Sequence, residues 1–526
     1  MLRSLQRTPE RDLVVIGGGA TGLGVALDAA ARGYSVALVE AEDYAKGTSS
    51  RATKLVHGGV RYLAQGNIGL VHEALRERAI LMRNAPHLVQ PLPFVLPVYG
   101  WKGRWLDKWF YGGGLMAYDL LAGKYRQGHT EFLDAASALR EIEGLMGDRL
   151  SGAVRYWDAQ FDDARLALAL ARTAIAYGAT AVNHCAAVGL AHEAGRIRGV
   201  VVEDRGNGQR LELRSRCVIN ATGVWVDAIR RMDRQAGADL VAPSQGVHIV
   251  VNREFLPGEH AILVPRTEDG RVLFAVPWFG KTILGTTDTP CSALAQEPEP
   301  LPEEIDFILG EAARMLARAP SRADIRSLWV GLRPLVRPPE KEAVETKSLS
   351  REHTVLVERS GLVTVTGGKW TTYRAMAEDV LAHCAARGLL PFRPAGVTAS
   401  LALVGAPREA RRALTGPPGM HLYGTEAPLL QDLRGAQREL APGLTEAMVR
   451  FAARFEYART VEDVLARRSR LLFLDARAAA SAAPRVGAIL GEELGDGFDA
   501  GGSVAAFANL ACRYSVAAEA ATAAPQ

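Results

Sequence analysis

A chain of 526 residues exceeds what one hydrophobic core organises, so two to four domains are expected, and 48% hydrophobic with 23% charged residues excludes wholesale disorder. The formal charge of +4, with no Lys/Arg tract, excludes a nucleic-acid-binding stripe but suits an anionic substrate or membrane surface. Five scattered cysteines (Cys185, Cys217, Cys291, Cys384 and Cys512), never spaced CxxC, exclude a disulfide framework and a zinc site and fit a reducing compartment.

The lead MLRSLQRTPER has no apolar h-region, so a secretory signal is not expected, and no run of about 18 uncharged apolar residues predicts a spanning helix. Residues 12–17 (DLVVIG) read as a buried parallel strand. The glycine turn GGGATGLG follows, then a helix, then a second strand at residues 34–40 (YSVALVE). In such a βαβ unit Gly17 permits the tight turn, Gly19 lets backbone amides approach a pyrophosphate, and Gly22 allows close helix–strand packing. Glu40 ends the second strand where a carboxylate meets a ribose hydroxyl. The unit predicts a dinucleotide without choosing NAD or FAD.

Residues 49–63 (SSRATKLVHGGVRYL) crowd hydroxyls, cations, a histidine and a Gly-Gly pair into a stretch too polar for a core strand and too glycine-broken for a helix. Further on, residues 101–111 (WKGRWLDKWFY) interleave aromatics with cations, a composition suited to a bilayer interface. CVINATG at 217–223 is an apolar strand ending in a turn, with Thr222 and Gly223 at its tip. Four short apolar runs, near residues 247–251, 261–265, 271–277 and 282–287, read as an antiparallel sheet. GLVTVTGGKWTTY at 361–373 is another strand, turn and helix start, carrying Gly368, Lys369 and Trp370. The Pro- and Gly-rich GAPREARRALTGPPGMHLYG marks a linker into a mainly helical final region from about residue 400, and no internal repeat is visible.

The two late strands resemble the return strands of FAD-binding flavoproteins, in which a helix N-terminus and sometimes a lysine lie near the flavin ring, where positive charge favours its anionic reduced form. Over most of its length the chain resembles the FAD-dependent glycerol-3-phosphate dehydrogenase family, closest to the mitochondrial type. The motifs are VVIGGGATGLGVALDAAARG, GTSSRATKLVHGGVRYL, EALRERAILMRNAPHL, NATGVWVDAIRRMD, GVHIVV, GRVLFAVPW with TILGTTDTP, WVGLRPLV, GLVTVTGGKWTTYRAMAEDV and TVEDVLARRSRLLFLDARAA. Val224 stands where the family usually has proline, and Ala52 interrupts the serine-rich stretch. No EF-hand pattern follows the helical region, so the calcium regulation of animal mitochondrial members is not expected.

The resemblance implies an α/β fold: a discontinuous FAD-binding Rossmann-like domain (residues 1–90, 150–235 and 330–400), an antiparallel-sheet substrate domain (91–149 and 236–329) and a C-terminal helical domain (401–526). It implies oxidation of sn-glycerol 3-phosphate to dihydroxyacetone phosphate by hydride transfer to FAD. Quinone is the implied acceptor, at a peripheral site on the cytoplasmic side of the inner membrane, and a homodimer is compatible with it. Arg61 and Arg333 occupy positions the family uses in its substrate pocket, with Tyr62 lining it. Two guanidinium contacts, each worth about 1.5–3 kcal/mol, predict that free glycerol is poorer by about 10² to 10⁴ fold. His57 or His248 is the base, the other orienting the substrate, because histidine titrates near working pH. Lys369 faces the flavin, and Thr48, Ser49 and Ser50 bind cofactor phosphates or the ring edge. Three other readings stay open: an oxidase that uses oxygen, an amine or amino-acid oxidase of the same superfamily, and a non-catalytic dinucleotide-binding regulator.

Overall fold

A computed structural model describes residues 5–6, 10–59, 67–100, 105–233, 238–265, 267, 270–291, 293–337, 352–410 and 412–516, with the backbone alone for 105–111. The strand Glu10–Ile16, the helix Ala20–Ala31 and the strand Val36–Val39 form the expected βαβ unit. They belong to an eight-stranded sheet ordered 353–357, 362–367, 210–220, 10–16, 36–39 and 180–182. Neighbours from Leu362–Gly367 to Thr180–Val182 run parallel, so these strands are buried on both faces and read as continuous Val/Ile/Leu runs. His353–Val357 and the hairpin of Cys185–Glu193 with Arg196–Asp204 join antiparallel. The helices Ala20–Ala31, Asp163–Ala176 and Tyr373–Ala386 contribute to the core on one face of this sheet.

The second sheet has ten strands, ordered 289–290, 241–252, 281–285, 273–278, 261–264, 89–99, 150–161 and 55–56, with Ser327–Val336 paired to Val241–Asn252 and Glu131–Leu133 to Leu150–Phe161. The four short runs expected between residues 247 and 287 lie here and pair antiparallel. The expected domain boundaries need correction. Leu55–Val56 and Leu150–Phe161 pair in this substrate sheet, not in the nucleotide sheet. Ser327–Val336 crosses the boundary placed at 330 while pairing along its length with Val241–Asn252. Apolar patterning reports that a strand is buried, but not which sheet takes its hydrogen bonds.

Beyond residue 400 the chain is mainly helical, with helices Glu446–Phe455, Ala476–Leu494 and Ala500–Arg513 and a π-helical turn at Asp463–Arg468. Phe451, Leu465, Phe473 and Ile489 of this region share one core with Phe94, Trp278 and Trp329 of the substrate sheet. The π-turn aims Arg467 and Arg468 into the nucleotide domain, where both donate to the buried Asp43 carboxylate, five residues before Thr48. Asp463 accepts from Arg467 at 2.9 Å and sits 3.0 Å from His184 Nε2. Asp43, His184 and Asp463 have the spacing of a metal site, but guanidinium groups already neutralise both carboxylates.

Candidate active site

Gly17 sits at φ +109°, and a Cβ there would lie 2.6 Å from the Ala221 carbonyl oxygen, so strand end and ATG turn close on each other only through glycine. At Gly22 a Cβ would stand 1.9 Å from the Gly17 carbonyl oxygen, which is the close helix packing the motif predicts. Glu40 spans the turn, accepting from Gly18 N at 2.5 Å and Glu42 N at 2.9 Å. The helix Ala20–Ala31 has Gly19 as its N-cap and no capping side chain. Ser49 Oγ accepts from Ala20 N at 2.9 Å, which brings the opening stretch against this helix end. Gly19, Ala20 and Thr21 line a cavity of about 420 Å³, as do Glu40, Thr48 and Ser49. A helix N-terminus whose N-cap glycine offers no side chain, set over a glycine cradle, fits a pyrophosphate.

Other segments line the same cavity. Thr222 and Gly223 line it, Thr222 Oγ1 donating 2.8 Å to Asn220 Oδ1. Gly367 and Gly368, both at positive φ, turn the chain so that Lys369 and Trp370 line it too. Trp370 Nε1 donates to the Ser49 carbonyl at 2.8 Å and Thr371 Oγ1 to the His57 carbonyl at 3.3 Å, so the last glycine loop is tied to the opening stretch. His57, half-buried, is part of the wall.

His248 lies opposite Trp329 and Gly285 in the strand register and stacks on the Trp329 ring, 5.2 Å between centroids and 14° between planes. It is 3% exposed; its Nε2 meets Thr53 Oγ1 at 2.9 Å, and its Nδ1 has no hydrogen-bond partner among the described residues. Burial, then the charges of Arg333 and Lys54, hold its pKa well below the usual histidine value. Arg333 also lines the cavity, passing Gly246, where a Cβ would lie 2.3 Å from its Nη2. Its guanidinium donates to Gln245 O and Asp288 Oδ1, both at 3.2 Å, to Thr286 Oγ1 at 3.1 Å and to Thr287 O at 2.9 Å.

The structure thus brings Gly17, Gly19, Glu40, Thr48, Ser49, His57, Thr222, Gly223, His248, Arg333, Gly368, Lys369 and Trp370 to one cavity, with Gly22 packed behind it. Arg61 and Tyr62 lie outside the described residues. Ser50 is a correction: it is buried behind the wall, and its backbone carbonyl accepts from Lys54 and Arg470. Sequence reasoning also missed Thr53, Arg51 and Asp288. Thr53 sits inside the stretch that drew attention, but its partner His248 is 195 residues away, so no local pattern announces the pair. Arg51 lines the cavity and is anchored to Glu297 Oε1 at 2.5 Å.

A family model described as FAD dependent oxidoreductase matches residues 12–374, and one described as the C-terminal domain of alpha-glycerophosphate oxidase matches residues 397–497. The chain is 40% identical to the mitochondrial glycerol-3-phosphate dehydrogenase of Homo sapiens over 537 residues, covering 94% of this chain and 72% of the relative. Identity to the mitochondrial glycerol-3-phosphate dehydrogenase of Arabidopsis thaliana is also 40%, covering 92% of this chain and 82% of the relative. The solved structure of the glycerol-3-phosphate dehydrogenase from Bacillus halodurans complexed with FAD matches with a TM-score of 0.76 at 29% identity, covering 97% of this chain and 95% of that one.

Proposed function

The chain belongs to the FAD-dependent glycerol-3-phosphate dehydrogenase family, and we propose on that premise that it oxidises sn-glycerol 3-phosphate to dihydroxyacetone phosphate and passes the electrons to quinone. The observation that carries this reading is a single cavity lined both by the glycine cradle and by His57, His248, Arg333 and Lys369. FAD is the cofactor, and bound there it supplies the two-electron acceptor for the hydrogen on C2 of the substrate. Glu40 takes the ribose hydroxyls, and the N-terminus of the helix Ala20–Ala31 the pyrophosphate.

His57 accepts the proton of the C2 hydroxyl. A general base works best with a pKa near working pH, and His248, buried and held well below that range, is a poor proton acceptor. His248 instead orients Thr53 and the substrate. Arg333, with Arg61, binds the phosphate, one N–H leaving Asp288 for a phosphate oxygen. Lys369 lines the same cavity, where its ammonium would favour the negative charge of a reduced flavin.

Anaerobic addition of glycerol 3-phosphate to the yellow holoprotein is expected to bleach it, and glycerol at the same concentration to leave it yellow. Comparable reduction rates with the two compounds refute the substrate reading. The match to the glycerophosphate oxidase C-terminal model supports a second reading, with oxygen as acceptor. Peroxide formed per substrate oxidised, measured against quinone reduction, separates the two.

Among the described residues no helix is long and apolar enough to cross a membrane. The helix Trp105–Ala122 exposes Met116 (54%) and Leu120 (83%), next to the aromatic and cationic segment 101–111. That composition supports peripheral attachment to a membrane surface; the cytoplasmic side of the inner membrane is part of the proposal. Trp101, Trp105 and Trp109 carry the test: flotation with liposomes, expected to fall in the triple alanine variant, and unchanged flotation removes the segment from the interface.

A further inference from the structure

Lys54 has no solvent exposure, and its backbone sits in the left-handed region at φ +66°, which a residue with a Cβ adopts only when its surroundings hold it there. Its ammonium donates to the Ser50 carbonyl at 2.7 Å and to Asp163 Oδ2 at 2.6 Å. Three aromatic rings cage it, with centroids at 5.1 Å (Trp329), 5.2 Å (Phe473) and 5.5 Å (Trp278). Arg470, also wholly buried and at φ +64°, shares both anchors, reaching the Ser50 carbonyl at 2.7 Å and Asp163 Oδ1 at 3.1 Å. Well-packed apolar residues often replace a buried ion pair without loss of stability, so stability alone gives little reason for an ammonium here.

The cage is connected to the cavity by two routes. Thr53, the preceding residue, meets His248 Nε2, and Trp329, one wall of the cage, stacks on the His248 ring. We propose that Lys54 is a positioning residue for the reaction: its ammonium, caged against Trp329, fixes the Thr53–His248 pair that walls the cavity. The inference rests on the reading of that cavity as the site of glycerol 3-phosphate oxidation. The charged groups facing Lys54 are Asp163, Asp162 and Arg470, and those facing His248 are Arg333 and Lys54. Burial lowers Lys54 to about 7 against the pull of Asp163, so its charge is present below neutrality and is lost as pH rises through it. While present, that charge and Arg333 add to burial in keeping the imidazole neutral and bonded to Thr53.

The test compares wild-type, Lys54→Met and Lys54→Arg holoprotein by two readouts. One is the His248 titration in [13Cε1]histidine NMR, assigned with His248→Gln; the other is the rate of flavin reduction by glycerol 3-phosphate across pH. Removing the cation in Lys54→Met is expected to raise the His248 midpoint by about 0.5 unit or more and to slow reduction about tenfold or more. Lys54→Arg is expected to keep the wild-type midpoint below neutrality and, because guanidinium does not titrate, to move the basic limb of the rate profile upward. An unmoved His248 midpoint in Lys54→Met, or equal rate losses in the two variants, overturns the proposal. If Lys54→Met does not fold, Lys54→Arg decides, and a basic limb left in place overturns it. Failure of glycerol 3-phosphate to bleach the wild type sinks the substrate reading instead, and the NMR titration, which needs no turnover, still reads the coupling.

Discussion

At Gly22 a single methyl group decides whether the nucleotide cradle can form. Its Cβ would stand 1.9 Å from the Gly17 carbonyl oxygen, inside any permitted contact, so the helix must move off the turn. Gly22→Ala is expected to purify folded but colourless, with flavin absorbance per protein as the measurement. Arg333 makes a different argument, since its guanidinium already has protein acceptors and is aimed into the cavity by them. Loss of one charge-assisted contact worth about 1.5–3 kcal/mol predicts that Arg333→Met lowers kcat/KM for glycerol 3-phosphate by about 10 to 10² fold. The slow rate with glycerol is expected to stay within about threefold of wild type, because glycerol offers that contact no phosphate. Equal losses on both compounds would assign Arg333 a structural role.

Among the elements, the π-turn Asp463–Arg468 stands out because it carries cations inward instead of outward. Its Arg467 and Arg468 meet Asp43, and Arg467 also meets Asp463, all of them buried. Burial alone would raise the Asp43 carboxyl; Arg468 and Arg467 outweigh it and hold the group below the usual range. Asp463 is held well below that range by His184, Arg467 and Arg468 against the same burial. Carboxyls with depressed folded-state pKa values contribute stability that is present above about pH 4, the unfolded value, and lost as pH falls through the folded one. Denaturant melts at pH 7 and at pH 3.5 measure this. Asp43→Asn, which leaves two buried guanidiniums short of a counter-charge, is expected to cost about 3–5 kcal/mol at pH 7 and to show a shallower loss of stability in acid. A cost under about 1 kcal/mol would place the network among weak pairs.

For the molecule as a whole, the helical region and the substrate sheet are one hydrophobic body. Trp278, Trp329 and Phe94 pack in the same cluster as Phe451, Leu465 and Phe473. A chain cut after residue 396 is therefore expected to bind the dye ANS and to hold no FAD, whereas a flavin-retaining soluble fragment would show that the two parts fold separately. Patterning determined much of this protein from the sequence alone: the βαβ unit with Gly17, Gly19, Gly22 and Glu40, the short antiparallel strands, and the GGKW turn are local signals, because glycine conformation and apolar periodicity act over a few residues. Only the tertiary structure decided that residues 150–161 and 327–336 belong to the substrate sheet, that Ser50 turns away from the cavity, and that Thr53 meets His248. It also decided that three arginines of ARRSR hold the C-terminal helical region against the nucleotide domain and against the backbone of Ser50. Those outcomes depend on hydrogen bonds and charges between residues far apart in the chain, whose geometry exists only once both sheets and the helical region have packed together.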